Sequence, residues 1–144
     1  MKITIAMLTG PFEFVALGLP VGHQAAGPRK AAWKAIVRNA AAQYWQNRGS
    51  PVVQSLQVTI VHYYSTVSVG DTDNLVKPIL DALIGLVYVD DSFVTDVICR
   101  RRRMDTRYSF PEVSDILLDG LTCSANDFIY VVVEPAPDPT VLKP

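Results

Sequence analysis

The residues best suited to chemistry form a cluster of carboxylates around one segment of the chain. Asp71 and Asp73 lie two residues apart, between a predicted strand and a predicted helix. In an extended segment the side chains of residues i and i+2 point the same way, so both carboxylates can share one pocket. Asp90 and Asp91 follow the helix and reach this pocket only if the chain folds back. That requires the strand beginning at position 92 to run beside the strand ending near position 70.

Three or four converging carboxylates repel one another unless a cation compensates their charge. A hard divalent cation with oxygen ligands resolves this repulsion. The pattern therefore predicts a Mg²⁺ site, at which Mn²⁺ could substitute, with Asp71, Asp73, Asp91 and Asp90 as metal ligands.

Lys77 follows Asp73 by four residues and lies one turn further along the same face of the helix. Its ammonium group could steer a phosphate or neutralise a developing negative charge. Alternatively, Lys77 is a plain i,i+4 ion-pair partner, which its spacing taken alone favours. Asp81 follows four residues later and could bind Lys77, so we assign it a supporting role.

Other sites that contain two nearby aspartates fit less well. An EF-hand beginning at Asp71 would require Gly at position 76 and Glu at position 82, where the chain has Val76 and Ala82. A haloacid-dehalogenase-like phosphatase would use Asp71 as nucleophile and Asp73 as acid, but would need a larger doubly wound domain after the motif. It stays as a minor alternative. His23 and His62 show no metal-ligand spacing.

The charge is distributed in blocks of alternating sign, although the net charge is only −1. Residues 1–50 hold six basic groups against one acid, 51–98 one against six, 99–107 five against one, and 108–144 one against six. An acidic block between two basic blocks suits a metal-dependent phosphodiesterase, because carboxylates hold cations while arginines and lysines hold phosphates. Alternatively, the blocks are solvated surfaces. The candidate DNA-binding residues are Arg29, Lys30, Lys34, Arg100, Arg101, Arg102 and Arg103.

The elements that must position these groups follow the order β-α-β-α-β-α-β. The patterns predict strands at 12–18, 55–64, 92–104 and 127–135, and helices at 28–47, 74–86 and 113–121. In the first helix the apolar face comprises Trp33, Ile36, Val37, Ala40, Ala41 and Tyr44, with Arg29, Lys30, Lys34 and Arg38 largely opposite. In the second helix, Asp73 or Asn74 is the expected N-cap, and Pro78 is expected near the first turn.

The chain is expected to be one cytoplasmic domain. Its 144 residues match the size of a single domain, and no apolar run is long enough to cross a bilayer. The apolar stretch after Lys2 is short and lacks a cleavage site, which argues against a signal peptide. Cys99 and Cys123 have no disulfide or zinc spacing and are expected to be buried apolar residues. The proline-rich residues 135–144 are expected to be a disordered tail.

The segment "DTDNLVKPILDALIGLVYVDDSFV", residues 71–94, resembles the signature of the RusA family of crossover junction endodeoxyribonucleases. It contains Asp-x-Asp-Asn, a Lys three residues on, Asp-Ala-Leu, and an Asp-Asp pair before a strand. Several spacings agree at once, over about a sixth of the chain. Outside the segment the likeness rests on the "GLP" loop and the basic helix through Trp33.

The resemblance implies a small α+β domain, residues 1–134, with a mixed β-sheet and two to three helices. It also implies a homodimer that uses Mg²⁺ to nick two opposed strands of a four-way (Holliday) junction. Carried over residue by residue, Asp71, Asp73 and Asp91 are the catalytic carboxylates, with Asp90 as their neighbour. Lys77 is the catalytic lysine and Asn74 a shaping residue. The family also suggests a bacterial or phage origin.

Two departures from the family pattern concern DNA recognition. Phe93 stands where family members often have Gln, and the following strand carries Arg100–Arg103 where a Lys is often found. Along a strand the arginines alternate between faces, so only one pair can address the active-site face. Alternatively, this run protects a sheet edge from aggregation. Three functions stay open: a junction resolvase, a metal-dependent nuclease or phosphatase of other specificity, and a non-catalytic DNA-binding relative.

Overall fold

The structure is a computed structural model that describes residues 7–46, 48–65, 72–109, 112–123 and 126–141. Within these ranges four strands and three helices alternate in the predicted order. They are β1 (Phe12–Leu17), α1 (Gly27–Trp45), β2 (Leu56–Tyr64), α2 (Thr72–Ala82), β3 (Val94–Arg103), α3 (Asp115–Cys123) and β4 (Phe128–Pro135). The protein is therefore a small α+β domain with a mixed sheet, as predicted.

The four strands form one sheet in the order β1-β4-β2-β3. β4 pairs antiparallel with both β1 and β2, whereas β2 and β3 are parallel. Parallel neighbours require a crossover connection, and α2 supplies it. Because β2 and β3 are parallel, their C-terminal ends lie side by side. β3 is the outermost strand, so the arginine run lies on an edge strand.

The two faces of the sheet are covered by different helices. Leu56, Val58 and Ile60 alternate along β2 and are fully buried in the core formed with α1 and α2. Val61 and Tyr63 point to the other face and pack in a second cluster that includes Leu117 of α3. This period-two alternation of β-branched and large apolar residues is what makes β2 a central strand.

The buried stripe of α1 differs from the predicted apolar face. Trp33, Val37, Ala41 and Trp45 are buried at four-residue intervals. Ile36 and Tyr44, by contrast, are 45% and 40% exposed. They line a groove of about 460 Å³ that lies between α1 and α3 along β1. The groove exists because the two helices cover opposite faces of the sheet and β1 is its edge strand.

The second helix begins earlier and ends earlier than the predicted range of 74–86. Because α2 begins at Thr72, Asp73 lies in its first turn rather than at the N-cap, and Pro78 lies inside the helix. The helix ends before Gly85, which adopts a φ of +80°, a conformation that glycine favours. Arg38 of α1 donates to the carbonyls of Ala82 at 3.2 Å and Ile84 at 2.7 Å. Arg38 therefore caps α2, although the helical pattern placed it on the polar face of α1.

The boundaries of β3 and α3 also shift by two residues. Asp91–Phe93 forms a 3₁₀ turn, so β3 begins at Val94. α3 begins after Ser114, whose hydroxyl accepts from Leu117 N–H at 3.1 Å and so acts as an N-cap. Gly120 allows α3 to approach the sheet closely, since a Cβ there would lie 2.9 Å from the Phe128 ring.

Three other sequence predictions concern the ends and the surface of the chain. Ala136, the residue after β4, donates its N–H to Ser55 O at 2.9 Å. The predicted disorder of residues 135–144 stays a prediction. Cys99 is partly buried against the main core. None of the helices in the described ranges is both long and apolar enough to cross a membrane.

Candidate active site

One face of α2 carries charged side chains at four-residue spacing. Asp73, Lys77 and Asp81 lie on successive turns of this face, which places Lys77 between two carboxylates. Asp73 is exposed in the first turn of the helix. The opposite face buries Leu75, Ile79 and Leu80 in the core. The amphipathic pattern of α2 thus presents the charged row outwards.

Lys77 joins this row to Asp91. Its Nζ lies 2.7 Å from Asp91 Oδ2 and 2.8 Å from Asp81 Oδ1. Hydrogen bonds to Asp81 and Asp91 raise the pKa of Lys77, so the amine remains an ammonium ion at neutral pH. Nearly half of the Lys77 side chain, 48%, is exposed, so an arriving anion can contact it. Lys77 is therefore suited to act as a cation and not as a general base.

Asp91 reaches Lys77 by a route that the sequence interpretation did not foresee. β3 runs parallel to β2 and begins opposite Leu56, far from the end of β2 that leads to α2. The return is made before β3, by residues 83–90. This segment is held by Val52, whose N–H donates to Val87 O at 2.9 Å and whose carbonyl accepts from Val89 N–H at 3.3 Å. The resulting turn brings Asp91 beside α2.

Tyr88 belongs to this turn, and its ionisation is influenced by three carboxylates. Its ring is fully buried, and its hydroxyl donates to Leu80 O at 2.6 Å. Burial raises the pKa of Tyr88, and the negative charges of Asp91, Asp81 and Asp90 raise it further. Tyr88 thus gives this turn a buried, hydrogen-bonded support. We call Asp73, Asp81, Asp90 and Asp91 the acidic surface.

Asp90 has a local partner of its own. Its Oδ2 accepts from Ser92 N–H at 3.2 Å, so it caps the 3₁₀ turn. Hydrogen bonds from the Ser92 side chain and backbone lower the pKa of Asp90, and Lys77 adds a smaller effect. The carboxylate is ionised at neutral pH and fully exposed.

The proposed metal ligands are only partly described. Asp71 lies outside the described residues. Within the described ranges, no three His, Cys, Asp or Glu residues are grouped closely enough to hold a metal ion. The donors that are described, Asp73, Asp90 and Asp91, are exposed or half-buried carboxylates, a chemistry that fits a hard divalent cation.

The arginine run divides between the two faces of the sheet. Parallel pairing sets Arg101 beside His62 and Arg103 beside Tyr64, on the face covered by α2; we call these the α2-side pair. Arg100 and Arg102 pair with Val61 and Tyr63 on the other face and form the α3-side pair. In the α2-side pair, Arg103 binds both carboxylate oxygens of Asp105, at 3.1 and 3.0 Å. This exposed ion pair holds the guanidinium weakly.

The basic residues of α1 lie around its first two turns. Arg29 is exposed, whereas Lys30 and Lys34 are partly buried. Lys30 Nζ donates to His23 O at 3.3 Å, and His23 N–H donates to Asn74 O at 2.9 Å. This chain of contacts links the basic start of α1 to the charged face of α2.

A buried network at the end of β2 was missed by sequence reasoning. His62 is fully buried, and its Nε2 lies 3.0 Å from Asp127 Oδ2. Asp127 Oδ1 accepts from Ser65 N–H at 3.1 Å and Ser65 Oγ at 2.9 Å, and Asp127 O accepts from Gly18 N–H at 2.9 Å. Asp127 thus ties together the ends of β1 and β2. Position 62 shares the inward phase of Leu56, Val58 and Ile60, a signal that its imidazole needed a buried partner.

Comparison with protein-family models gives a match to endodeoxyribonuclease RusA over residues 21–110, more than half of the chain. The chain belongs to the RusA family. The match spans α1, β2, α2 and β3, and therefore the charged face of α2, Asp90, Asp91 and the arginine run. RusA-family proteins are nucleases, generally dependent on a divalent metal, and are found in bacteria and phages. No match was found among curated proteins.

Proposed function

We propose that this RusA-family protein is a Mg²⁺-dependent endodeoxyribonuclease. It resolves four-way (Holliday) DNA junctions by paired symmetric nicks, in DNA recombination and repair, in a bacterial or phage cytoplasm. The observation that carries the proposal is the contact of Lys77 with Asp91. Lys77 itself lies one turn along α2 from Asp73. Residues far apart in the sequence thereby form one charged surface within the matched region.

Asp71, Asp73 and Asp91 would hold Mg²⁺, with Asp90 beside them. When bound, this cation supplies an activated water molecule and neutralises charge on the phosphate. Lys77 donates hydrogen bonds to a phosphate oxygen and stabilises the negative charge that develops during hydrolysis. Asp81 orients Lys77 by its ion pair at 2.8 Å. A permanently charged ammonium is supported by the raised pKa of Lys77.

Basic residues lie on two elements of the matched region. The first turns of α1 carry Arg29, Lys30 and Lys34, and the C-terminal end of the edge strand β3 carries Arg100–Arg103. Contacts from these cations to phosphates would hold DNA while carboxylates face the scissile bond. These contacts give affinity with little dependence on base sequence.

A homodimer follows from the geometry of the substrate. One active site cuts one strand, whereas resolution of a junction needs two symmetric cuts, which a twofold assembly supplies. The apolar strand β4 lies between β1 and β2, and its Phe128, Ile129, Val131 and Val133 are fully buried, so it has no free face for a second copy. β3 is an edge strand and is the better candidate for the interface.

A substrate panel tests the proposal. Wild-type protein is incubated with a synthetic four-way junction, linear duplex, single-stranded DNA and p-nitrophenyl phosphate, each with and without Mg²⁺. We expect cleavage of the junction alone, only with the metal. Equal cleavage of linear duplex would indicate a nuclease of other specificity. Hydrolysis of the small ester would indicate a phosphatase, and junction binding without cleavage in any metal would indicate a non-catalytic DNA-binding relative.

A further inference from the structure

Besides their apolar packing, hydrogen bonds at each end of α2 connect it to α1 and to the loop before α1. At the C-terminal end, Arg38 donates to Ala82 O and Ile84 O. At the N-terminal end, Asn74 binds the loop that precedes α1: its carbonyl accepts from His23 N–H at 2.9 Å, and its Oδ1 accepts from Gln24 N–H at 3.3 Å. The second contact lies next to Asp73, on the part of α2 that carries the acidic surface.

Pro78 explains why the Asn74 carbonyl can accept this bond. In an α-helix the carbonyl of residue i accepts from the N–H of residue i+4. Residue 78 is a proline inside α2 and has no N–H to donate. The position of this proline therefore leaves one carbonyl, at Asn74, for the loop to use, and His23 N–H takes it.

Gly22 explains how the loop comes so close. A Cβ added at position 22 would lie 2.8 Å from Asn74 Cγ and closer still to Asn74 Nδ2. Gly22 is not among the positive-φ glycines of the described chain, so its backbone conformation does not itself require glycine. The requirement is steric: with any side chain at position 22, either the loop or the Asn74 side chain would have to move.

The loop in turn holds a cation of α1. Its His23 carbonyl accepts from Lys30 Nζ at 3.3 Å, and its Ala25 N–H donates to Gly22 O at 3.0 Å in a tight turn. The loop that contacts Asn74 is therefore the same loop that binds Lys30 at the basic start of α1.

We infer that the Gly22–Asn74 contact sets the separation between the phosphate-binding cations of α1 and the catalytic face of α2, which makes Asn74 a positioning residue. This inference rests on the proposed function and adds to it a fixed distance between two phosphates bound on the same DNA strand. With the contact intact, a phosphate held near Lys30 keeps another phosphate of the same strand at Asp73 and Lys77. With the contact broken, DNA still binds but the scissile phosphate is displaced.

A double-mutant cycle on Gly22→Ala and Asn74→Ala tests the contact itself. Gly22→Ala in the wild-type background should lower the melting temperature by about 3–10 °C, as expected for overpacking. In the Asn74→Ala background the added methyl group fills the vacated space, so the same substitution should cost much less. Gly27→Ala is the matched control, because a Cβ at Gly27 meets nothing within 4 Å. Additive effects of the two substitutions would overturn the proposed contact.

The functional consequence is tested on a synthetic four-way junction. Asn74→Ala should lower the single-turnover rate constant of cleavage by about 10²-fold, as expected when the scissile phosphate is displaced by about 1 Å. The Mg²⁺ concentration that gives half of the maximal rate should not change. Phosphate-ethylation interference, measured with Ca²⁺ in place of Mg²⁺, should lose the phosphates that Lys30→Ala also loses and keep the others. Asn74→Asp retains the Oδ1 acceptor and the shape, and should keep the wild-type interference pattern.

The outcomes separate the inference from the proposed function. A wild-type protein that neither binds nor cuts the junction contradicts the proposed function, and the inference with it. A wild-type protein that cuts, together with an Asn74→Ala variant of unchanged kcat and unchanged interference pattern, overturns the inference alone. A uniform loss of all contacts in Asn74→Ala, in proportion to lost folded protein, also overturns it, because that is a purely structural effect.

Discussion

Removal of the Lys77 charge should affect catalysis far more than stability. The two ion pairs of Lys77 join side chains that are 48%, 27% and 26% exposed, and exposed pairs contribute about 0.2–1 kcal/mol each. Lys77→Met keeps the length of the side chain and its apolar contacts. It should therefore change the free energy of unfolding by no more than about 1–2 kcal/mol. By contrast, loss of a charged donor aimed at the transition state lowers kcat by about 10²–10³-fold.

The assay is single-turnover cleavage of a synthetic four-way junction in Mg²⁺, with urea unfolding of the same preparations. Asp81→Asn is the matched control, because it breaks the i,i+4 ion pair but leaves the ammonium and its contact with Asp91. We expect Asp81→Asn to cleave much faster than Lys77→Met at similar stability. Equal rates in the two variants, or a wild-type rate in Lys77→Met, would show that Lys77 is only a structural ion-pair partner.

Three further predictions concern metal, DNA affinity and pH. Asp73→Asn should abolish cleavage without loss of junction binding, and nicking by this variant at the wild-type rate would remove Asp73 from the active site. With the wild-type protein, Ca²⁺ should support binding with little cleavage. Replacing either arginine of the α2-side pair with alanine should lower the slope of log binding constant against log salt concentration by about one unit, whereas the same substitution in the α3-side pair should not. Unchanged slopes for all four variants would favour a role of the arginines in protecting the sheet edge from aggregation. Burial lowers the pKa of His62 below 6.5. The unfolded state therefore binds more protons on acidification, and the free energy of unfolding should fall as pH drops below that value. His62→Phe should flatten this dependence in urea titrations, and an equally steep wild-type and variant profile would contradict it.

The order of elements could be predicted because local patterns determine it. The inward residues of β2 alternate with period two, and α2 carries apolar residues at helical spacing. What local patterns could not supply was the placement of one element on another. Ile36 and Tyr44 fit the apolar stripe of α1 but lie beyond the area that the sheet covers. Arg38 has the spacing of a solvent-facing residue, yet the end of α2 offers it two carbonyls.

The candidate site was predictable in its residue types but not in its connections. The spacing of Lys77 and Asp81 predicts their ion pair, because both lie on one helix. The approach of Asp91 depends on hydrogen bonds of Val52, which no local pattern relates to Asp91. The contact of Gly22 with Asn74 likewise joins residues 52 positions apart. Such contacts depend on tertiary structure, where sequence spacing carries no distance information.

Paired cleavage by a homodimer can be tested by mixing active and inactive subunits. Wild-type protein and an excess of Asp91→Asn protein are exchanged, and the products from a synthetic four-way junction are separated on native and denaturing gels. If two copies of this site each cut one strand, the mixed dimers should nick one strand and release few resolved duplexes. Resolution at the wild-type level in the mixture, with light scattering that reports a stable monomer, would contradict paired cleavage by a homodimer.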